Sequence, residues 1–390
     1  MRRRAIILVL DGVGVGAAPD AAAYGDVGSD TLGNLARALG GLTLPNLEAL
    51  GLGNVEPLVG VAPAGTPDGA WGSMRPASPG KDSTTGHWEI AGLHLERPFP
   101  TFPHGFPSAV IDAFAAATGR GVIGNVAASG TEITDRLGAE HARTGQWIVY
   151  TSADSVFQVA ANEDIVPLEE LYAACAIARK QLVAPNDVSR VIARPFVGIE
   201  GAFHRTANRR DYSIAPPGET LLDALAGAGV PRAGVGKVDD LFGGRALRSR
   251  HMADNAEGIQ AILEWLGGSQ GGLLFANLVD FDTLYGHRND VVGFERALRQ
   301  FDDALPAIRA ALREDDLLFM TADHGNDPTT GSTDHARECV PLLVCGPQVR
   351  AVPLGVRETF SDLGATVADW LNIPFRGCGT SFLSALERGV

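Results

Sequence analysis

Gly272-Leu273-Leu274-Phe275-Ala276-Asn277-Leu278-Val279-Asp280-Phe281-Asp282-Thr283-Leu284-Tyr285-Gly286-His287 sets an almost unbroken apolar run directly against a loop that carries aspartate and histidine. An apolar run without alternation suits a strand covered on both faces, as in a parallel sheet. Three other runs read the same way: Ala5 to Leu10 ahead of Asp11, Leu317 to Met320 ahead of Thr321-Ala322-Asp323-His324-Gly325-Asn326, and Val340 to Val344. Helical periodicity separates them. From Phe294 to Leu312, the residues Phe294, Ala297, Leu298, Phe301, Leu305 and Ile308 fall on one face. Strands alternating with helices predict an α/β fold with a doubly wound, mostly parallel sheet as its core.

The middle of the chain has another texture. Pro98-Phe99-Pro100-Thr101-Phe102-Pro103-His104-Gly105-Phe106-Pro107 breaks any helix or central strand, and a second break falls at Pro216-Pro217-Gly218. Between them lie strand candidates at Val122 to Ala127, Trp147 to Thr151, Val156 to Ala160 and Val191 to Val197, with a helix from Leu168 to Leu182. The expectation is a smaller α+β cap domain, residues 99–216, inserted into a core built from residues 1–98 and 217–390. The proline-rich joints are where hinge motion is expected.

A chain of 390 residues with 45% hydrophobic and 20% charged residues can bury a large core without covalent staples. Its formal net charge of −14 argues against a nucleic-acid partner, which would demand clustered Lys and Arg. An anionic substrate must therefore be attracted by local charge, from metal ions or a few placed basic residues. No apolar stretch is long enough to span a bilayer, so no membrane partner is expected. The basic start Met1-Arg2-Arg3-Arg4 precedes an apolar run too short for a signal peptide, which reads better as a buried first strand. Cys175, Cys339, Cys345 and Cys378 form no C-x-x-C pair and read as free thiols, consistent with a cytoplasmic protein.

In open α/β sheets, ligands bind beyond the carboxyl ends of the strands. Asp11, Asp282 and Asp323 follow three apolar strands, and His287, His324 and His335 follow in the same loops. A single Asp–His pair at a strand end is usually a capped loop. Six carboxylates and imidazoles on such loops are harder to dismiss, and they suit Mn²⁺, Zn²⁺ or Mg²⁺. Six ligands are enough for two ions, which together clamp an in-line displacement. The loop Gly80-Lys81-Asp82-Ser83-Thr84-Thr85-Gly86-His87-Trp88-Glu89 offers three hydroxyls, any of which could be a nucleophile, or could simply cap a following helix. Gly12-Val13-Gly14-Val15-Gly16 lacks the third glycine of a dinucleotide loop at its proper place. Gly236-Lys237-Val238 lacks the hydroxyl that follows the lysine of a P-loop.

The order Asp, hydroxyl-x-x-Gly-His, Asp-x-x-x-x-His, Asp-His-Gly, His resembles the alkaline phosphatase superfamily. The strings at 80–89, Tyr150 to Val156, Arg194 to Gly198, Arg205 to Tyr212 and Val279 to Arg288 resemble its phosphopentomutases in particular, across nearly the whole chain. The resemblance implies two divalent ions, expected as Mn²⁺. Asp282, His287 and His335 would hold one, and Asp11, Asp323 and His324 the other. By the hydroxyl-x-x-Gly-His spacing the nucleophile is Ser83, where the family mostly carries Thr. Asp154, Arg194, Arg209 and Lys237 match positions that grip the sugar phosphate, although surface ion pairing is the plainer role for the two arginines. The implied reaction interconverts the 1- and 5-phosphates of ribose or deoxyribose through a phosphoenzyme and a sugar 1,5-bisphosphate, with a sugar bisphosphate as activator. A metal-dependent phosphatase or a phosphoglycerate mutase on the same core is the alternative.

Overall fold

The computed structural model describes residues 3–152 and 154–387. Its strands, in chain order, are β1 (Arg4–Leu10), β2 (Ala70–Met74), β3 (Val122–Ala127), β4 (Trp147–Thr151), β5 (Val156–Asn162), β6 (Arg190–Val197), β7 (His204–Arg205), β8 (Arg210–Ser213), β9 (Arg232–Val235), β10 (Ser249–Arg250), β11 (Gly272–Leu278), β12 (Asp316–Thr321), β13 (Val340–Cys345) and β14 (Pro353–Arg357). The chain parts into two compact units. One comprises Met1–Pro98 with Pro216–Val390, the other Phe99–Ala215.

The first unit is built on an eight-stranded sheet of order β10-β9-β11-β1-β12-β13-β2-β14. β1 is buried along its whole length and pairs in parallel with β11 on one side and β12 on the other. The register sets Leu10 opposite Leu278 and Val9 opposite Thr321. Asp11, the turn carrying Asp282, and Asp323 therefore leave the sheet at the same end. At the opposite end Arg4 faces Asp316 in the register and donates from Nε to Oδ1 over 2.7 Å, both groups buried. That pair would be broken by any slip of β12 against β1.

β13 is the reason the sheet is mostly rather than wholly parallel: it runs antiparallel to both β12 and β2. A parallel neighbour needs a crossover, usually a helix, whereas an antiparallel one needs only a return loop. Residues 322–339 contain no helix, and this return loop carries Asp323, His324 and His335. The long helix forms at Val291–Ala310, with Asp290 as its N-cap accepting from Gly293 N. The helix read at Leu168 to Leu182 spans Leu168–Gln181. Among the described residues no helix is long and apolar enough to cross a membrane.

The second unit holds a mixed sheet of order β3-β4-β5-β6-β7, with β8 pairing β6. Alternate residues of β4 serve two cores. Trp147 and Val149 pack with Phe106, Phe114, Phe157 and Leu171, while Ile148 and Tyr150 pack with Ile133, Ala160 and Phe196. Covering on both faces is why β4 reads as a continuous apolar run.

Candidate active site

Each strand-end carboxylate has its own local cause. The sheet stops at Leu10, and Gly12, at φ +79°, turns the chain beneath the sheet edge; a Cβ there would meet Asn326 Cβ at 3.0 Å. Asp11 is fully buried. Its Oδ2 accepts from Asn277 Nδ2 at 3.0 Å and lies 3.1 Å from Lys237 Nζ. Its Oδ1 has no hydrogen bond and faces His324 Nε2 at 3.3 Å. Asp282 sits on a π-helical turn, Phe281–Tyr285, immediately past β11. Its Oδ2 lies 3.3 Å from His287 Nε2, and its Oδ1 lies 3.4 Å from His335 Nε2 while accepting from Asn326 Nδ2 at 2.7 Å.

Asp323 follows β12. Its Oδ1 accepts from Gly12 N at 3.2 Å, and its Oδ2, without a hydrogen bond, lies 3.1 Å from His87 Nδ1 and 3.5 Å from His324 Nε2. Two groups thus gather ligand atoms within 4.8 Å of one another: Asp282, His287 and His335, and Asp11, Asp282 and His324. Asp282 belongs to both. Asp323, expected beside Asp11, belongs to neither group, although its Oδ2 stands 3.5 Å from His324 Nε2.

These residues fit divalent cations. His287 Nδ1 lies 2.7 Å from Thr333 O and His324 Nδ1 3.1 Å from Gly325 O, so each ring turns Nε2 toward the carboxylates. With the Nδ1 proton given to a carbonyl, the Nε2 lone pair faces carboxylate oxygen, which is repulsive unless a cation stands between them. The field shows in the titration. Burial works against the proton on His324, yet Asp323 and Asp11 outweigh it and push the imidazole up to about 10. Burial pushes the Asp11 and Asp282 carboxyls up. Lys237 for the first, and His335 with His287 for the second, hold both below the ordinary carboxylate range.

Ser83 is the first residue of the Ser83–Ile90 helix, and its Oγ stands 3.2 Å from His324 Nε2. The helix cap is Asp82 rather than any hydroxyl of the Ser-Thr-Thr run. Asp82 accepts from Thr85 N at 3.1 Å and from Thr85 Oγ1 at 2.6 Å. Thr85 is therefore engaged in the cap, and Ser83 is the hydroxyl directed at the histidine. Gly86 is required by packing: a Cβ there would fall 2.1 Å from Asp323 O.

In the second unit, the half-buried Arg194 donates from Nε to Gln158 Oε1 at 2.9 Å. Arg209 forks onto Asp211, both contacts 2.7 Å, and Asp154 lies 3.8 Å from Arg190. Ion pairing is thus real for Arg209. Two arginines that the sequence reading passed over join the cluster. Arg190 reaches Asp211 at 3.6 Å. Arg205 packs so close to the start of the Gly130–Thr144 helix that a Cβ on Gly130 would fall 1.3 Å from its Nη2. Beside them Tyr150, 1% exposed, holds a phenol oxygen with no hydrogen bond; burial pushes its pKa up. Burial, then the like charges of Arg209 and Arg205, pull Arg194 down to about 10. Such crowding of guanidinium groups favours an anionic ligand.

The reading also missed Asn277, whose Nδ2 reaches both Asp11 Oδ2 and His87 Nε2, the latter at 3.1 Å. A polar residue inside an otherwise apolar strand was the available signal.

A model of the metalloenzyme superfamily matches residues 3–374. The chain is 57% identical over 389 residues to a phosphopentomutase of Dictyoglomus thermophilum, covering 99% of each chain. It is 56% identical to the enzyme so named in Desulfitobacterium hafniense, over 98% of this chain and all of that one, and 54% identical to that of Acetivibrio thermocellus at the same coverage. With a site of paired acids and imidazoles at the sheet edge and full-length identity above half, the chain belongs to the phosphopentomutase family of the metalloenzyme superfamily.

Proposed function

We propose that the chain interconverts ribose 1-phosphate and ribose 5-phosphate, and the deoxyribose pair, by carrying a phosphoryl group on Ser83. The observation that carries this reading is the Ser83 hydroxyl, first in its helix and 3.2 Å from His324 Nε2, beside acids and imidazoles that fit cations. The activity named for the relatives supports the substrate class.

The cycle balances as follows. The Oγ–P bond of phosphorylated Ser83 breaks as a bond forms from phosphorus to the free sugar hydroxyl, which gives up its proton. The product is a 1,5-bisphosphate. The sugar turns over, the bond from the other oxygen to phosphorus breaks, that oxygen takes a proton, and Ser83 Oγ recovers a phosphoryl group. Phosphorylation by a sugar bisphosphate starts the cycle.

Asp282, His287 and His335 would hold one divalent ion and Asp11, Asp323 and His324 the other, Mn²⁺ in each case. When bound, the ions supply Lewis-acid charge for the transferred group and the in-line oxygens. Lys237 adds a cation beside Asp11, and the Ser83 and Thr84 N–H groups at the start of the Ser83 helix suit phosphate oxygens, Thr85 N being taken by Asp82. Arg194 and Arg209, with Arg190 and Arg205, are assigned to the phosphate that is not reacting, and Asp154 to the sugar part of the substrate.

The test pairs two measurements. A coupled assay follows ribose 5-phosphate formed from ribose 1-phosphate, with inorganic phosphate quantified alongside, and peptide mapping locates the phosphate on the enzyme. Isomerised product with phosphate on Ser83 is expected. Phosphate release matching turnover would make the chain a phosphatase, and phosphate on Thr84 or Thr85 would move the nucleophile.

A further inference from the structure

The segment 75–82, between β2 and the Ser83 helix, places the nucleophile without belonging to a helix or strand. Backbone polar groups in such a segment must find partners elsewhere. Two buried, oppositely charged side chains provide most of them. Glu89, 1% exposed, accepts from Ala77 N at 2.8 Å and from Ser78 N at 2.7 Å. Arg337, 3% exposed, donates from Nη1 to Ser78 O and Gly80 O, both at 2.6 Å, and from Nη2 to Pro76 O at 2.9 Å. Its remaining donors go to Asp20: Nε reaches Oδ1 at 3.1 Å and Nη2 reaches Oδ2 at 2.9 Å. The guanidinium lies over the Tyr24 ring, 4.8 Å from its centre, and the Arg337 amide donates to Asp26 Oδ2 at 2.8 Å. Asp26 in turn holds Lys81 Nζ at 3.1 Å.

Arg337 also stands two residues past His335. One side chain thus ties the segment that carries an imidazole of the site to three carbonyls of the loop that carries Ser83. We infer that Arg337 is a positioning residue: it fixes the distance between Ser83 Oγ and the acid–imidazole cluster, and so sets the rate of phosphoryl transfer. The inference rests on the reading of Ser83 as nucleophile. Arginine is needed because its five donors spread over a rigid plane. A lysine ammonium, with three donors at one point, cannot span three carbonyls and a carboxylate.

The experiment uses the full-length, metal-loaded enzyme carrying Arg337→Ala, with metal content, melting temperature, KM, kcat and the rate of phosphoenzyme formation all measured. Metal content and KM are expected to stay near wild type. Both kcat and phosphoenzyme formation should fall about 10²-fold, the scale set by a misplacement near 1 Å. Guanidinium chloride, but not sodium chloride at equal ionic strength, should restore about tenfold of that loss by refilling the site. Wild-type kcat in the folded variant would overturn the inference. So would a loss that tracks metal content, or one that guanidinium leaves untouched. If Arg337→Ala does not fold, Asp20→Asn removes the charge that orients the guanidinium and leaves the carbonyls in place. A fall in kcat at unchanged KM is expected there, and unchanged kcat would overturn the inference. Peptide mapping of the wild type separately reports whether Ser83 is the nucleophile.

Discussion

The two units gather charge of opposite sign, and they do so under different cover. In the first, Asp11, Asp282, Asp323, His324 and His335 are buried, and the field of the acids raises the His324 pKa against the cost of burial. In the second, Arg205 and Arg209 are exposed and Arg194 is half-buried, and burial, then repulsion from its neighbours, draws Arg194 down. The first cluster leaves carboxylate oxygens of Asp11 and Asp323 without hydrogen bonds, and the second leaves the Tyr150 hydroxyl so. Carboxylates crowd in one, guanidinium groups in the other. A net charge of −14 conceals both. The difference in cover suits the tasks proposed for them, because a resident ion can be enclosed while a substrate phosphate must come and go.

The largest effect should come from the buried cluster. Asp323→Ala, or removal of divalent ions with a chelator, should lower mutase turnover by roughly 10⁴-fold or more while circular dichroism stays unchanged. Full metal content and turnover in Asp323→Ala, by elemental analysis and the coupled assay, would break the comparison at its cationic side. Ser83→Ala should abolish phosphoenzyme formation. Thr84→Ala and Thr85→Ala should retain it, with a weaker helix start for Thr85→Ala because Thr85 hydrogen-bonds the capping Asp82.

A smaller effect is expected in the arginine cluster. Arg205→Ala or Arg209→Ala should raise KM about 10–10²-fold, the worth of one or two charge-assisted hydrogen bonds, and leave bound metal unchanged. Arg209→Ala should also raise the ratio of inorganic phosphate to isomerised product. A change in metal content, or an unchanged KM in both variants, would dissolve the division of labour.

The smallest effect sharpens the comparison by showing a third way to settle crowded acids. Glu56 meets burial and the nearby Asp30, which push its carboxyl from about 4.5 to about 7. It resolves the crowding by keeping a proton rather than by attracting a cation. A folded-state pKa above the unfolded one gives stability that is complete below pH 4.5 and lost as pH rises through 7. Glu56→Gln, a neutral stand-in, should therefore melt about 1–2 °C above wild type at pH 8 and level with it at pH 5. A difference independent of pH would show that the carboxyl does not titrate in this range.

The central strands were legible because β1, β11 and β12 are covered on both faces and so read as pure apolar runs. The direction of β13 was not, since an apolar run carries no sign of which way it points. β9, β10 and β14 are short and partly exposed, and too little of each is buried to leave a pattern. The six acids and imidazoles were legible from their place after strands. Their grouping, with Asp282 in both sets, needed coordinates. Arg190 and Arg337 lay beyond reach for a plainer reason: each acts on partners far along the chain, and an isolated arginine is no pattern at all, while Arg205 stood in a string that resembles the family but was given no role.

The place of β1 in the sheet has a consequence in time. It is made before both of its partners, which begin at Gly272 and Asp316, on the far side of the whole Phe99–Ala215 unit. At about 5–20 residues per second, a ribosome needs roughly 10–50 s between finishing Leu10 and starting the first of those partners. Throughout that interval this buried, apolar strand has neither of its neighbours to join, and the inserted unit is completed before either of them appears. β1 is thus a point at which the nascent chain is open to aggregation, and a chaperone that shields Arg4–Leu10 until β11 emerges should raise the yield of active enzyme.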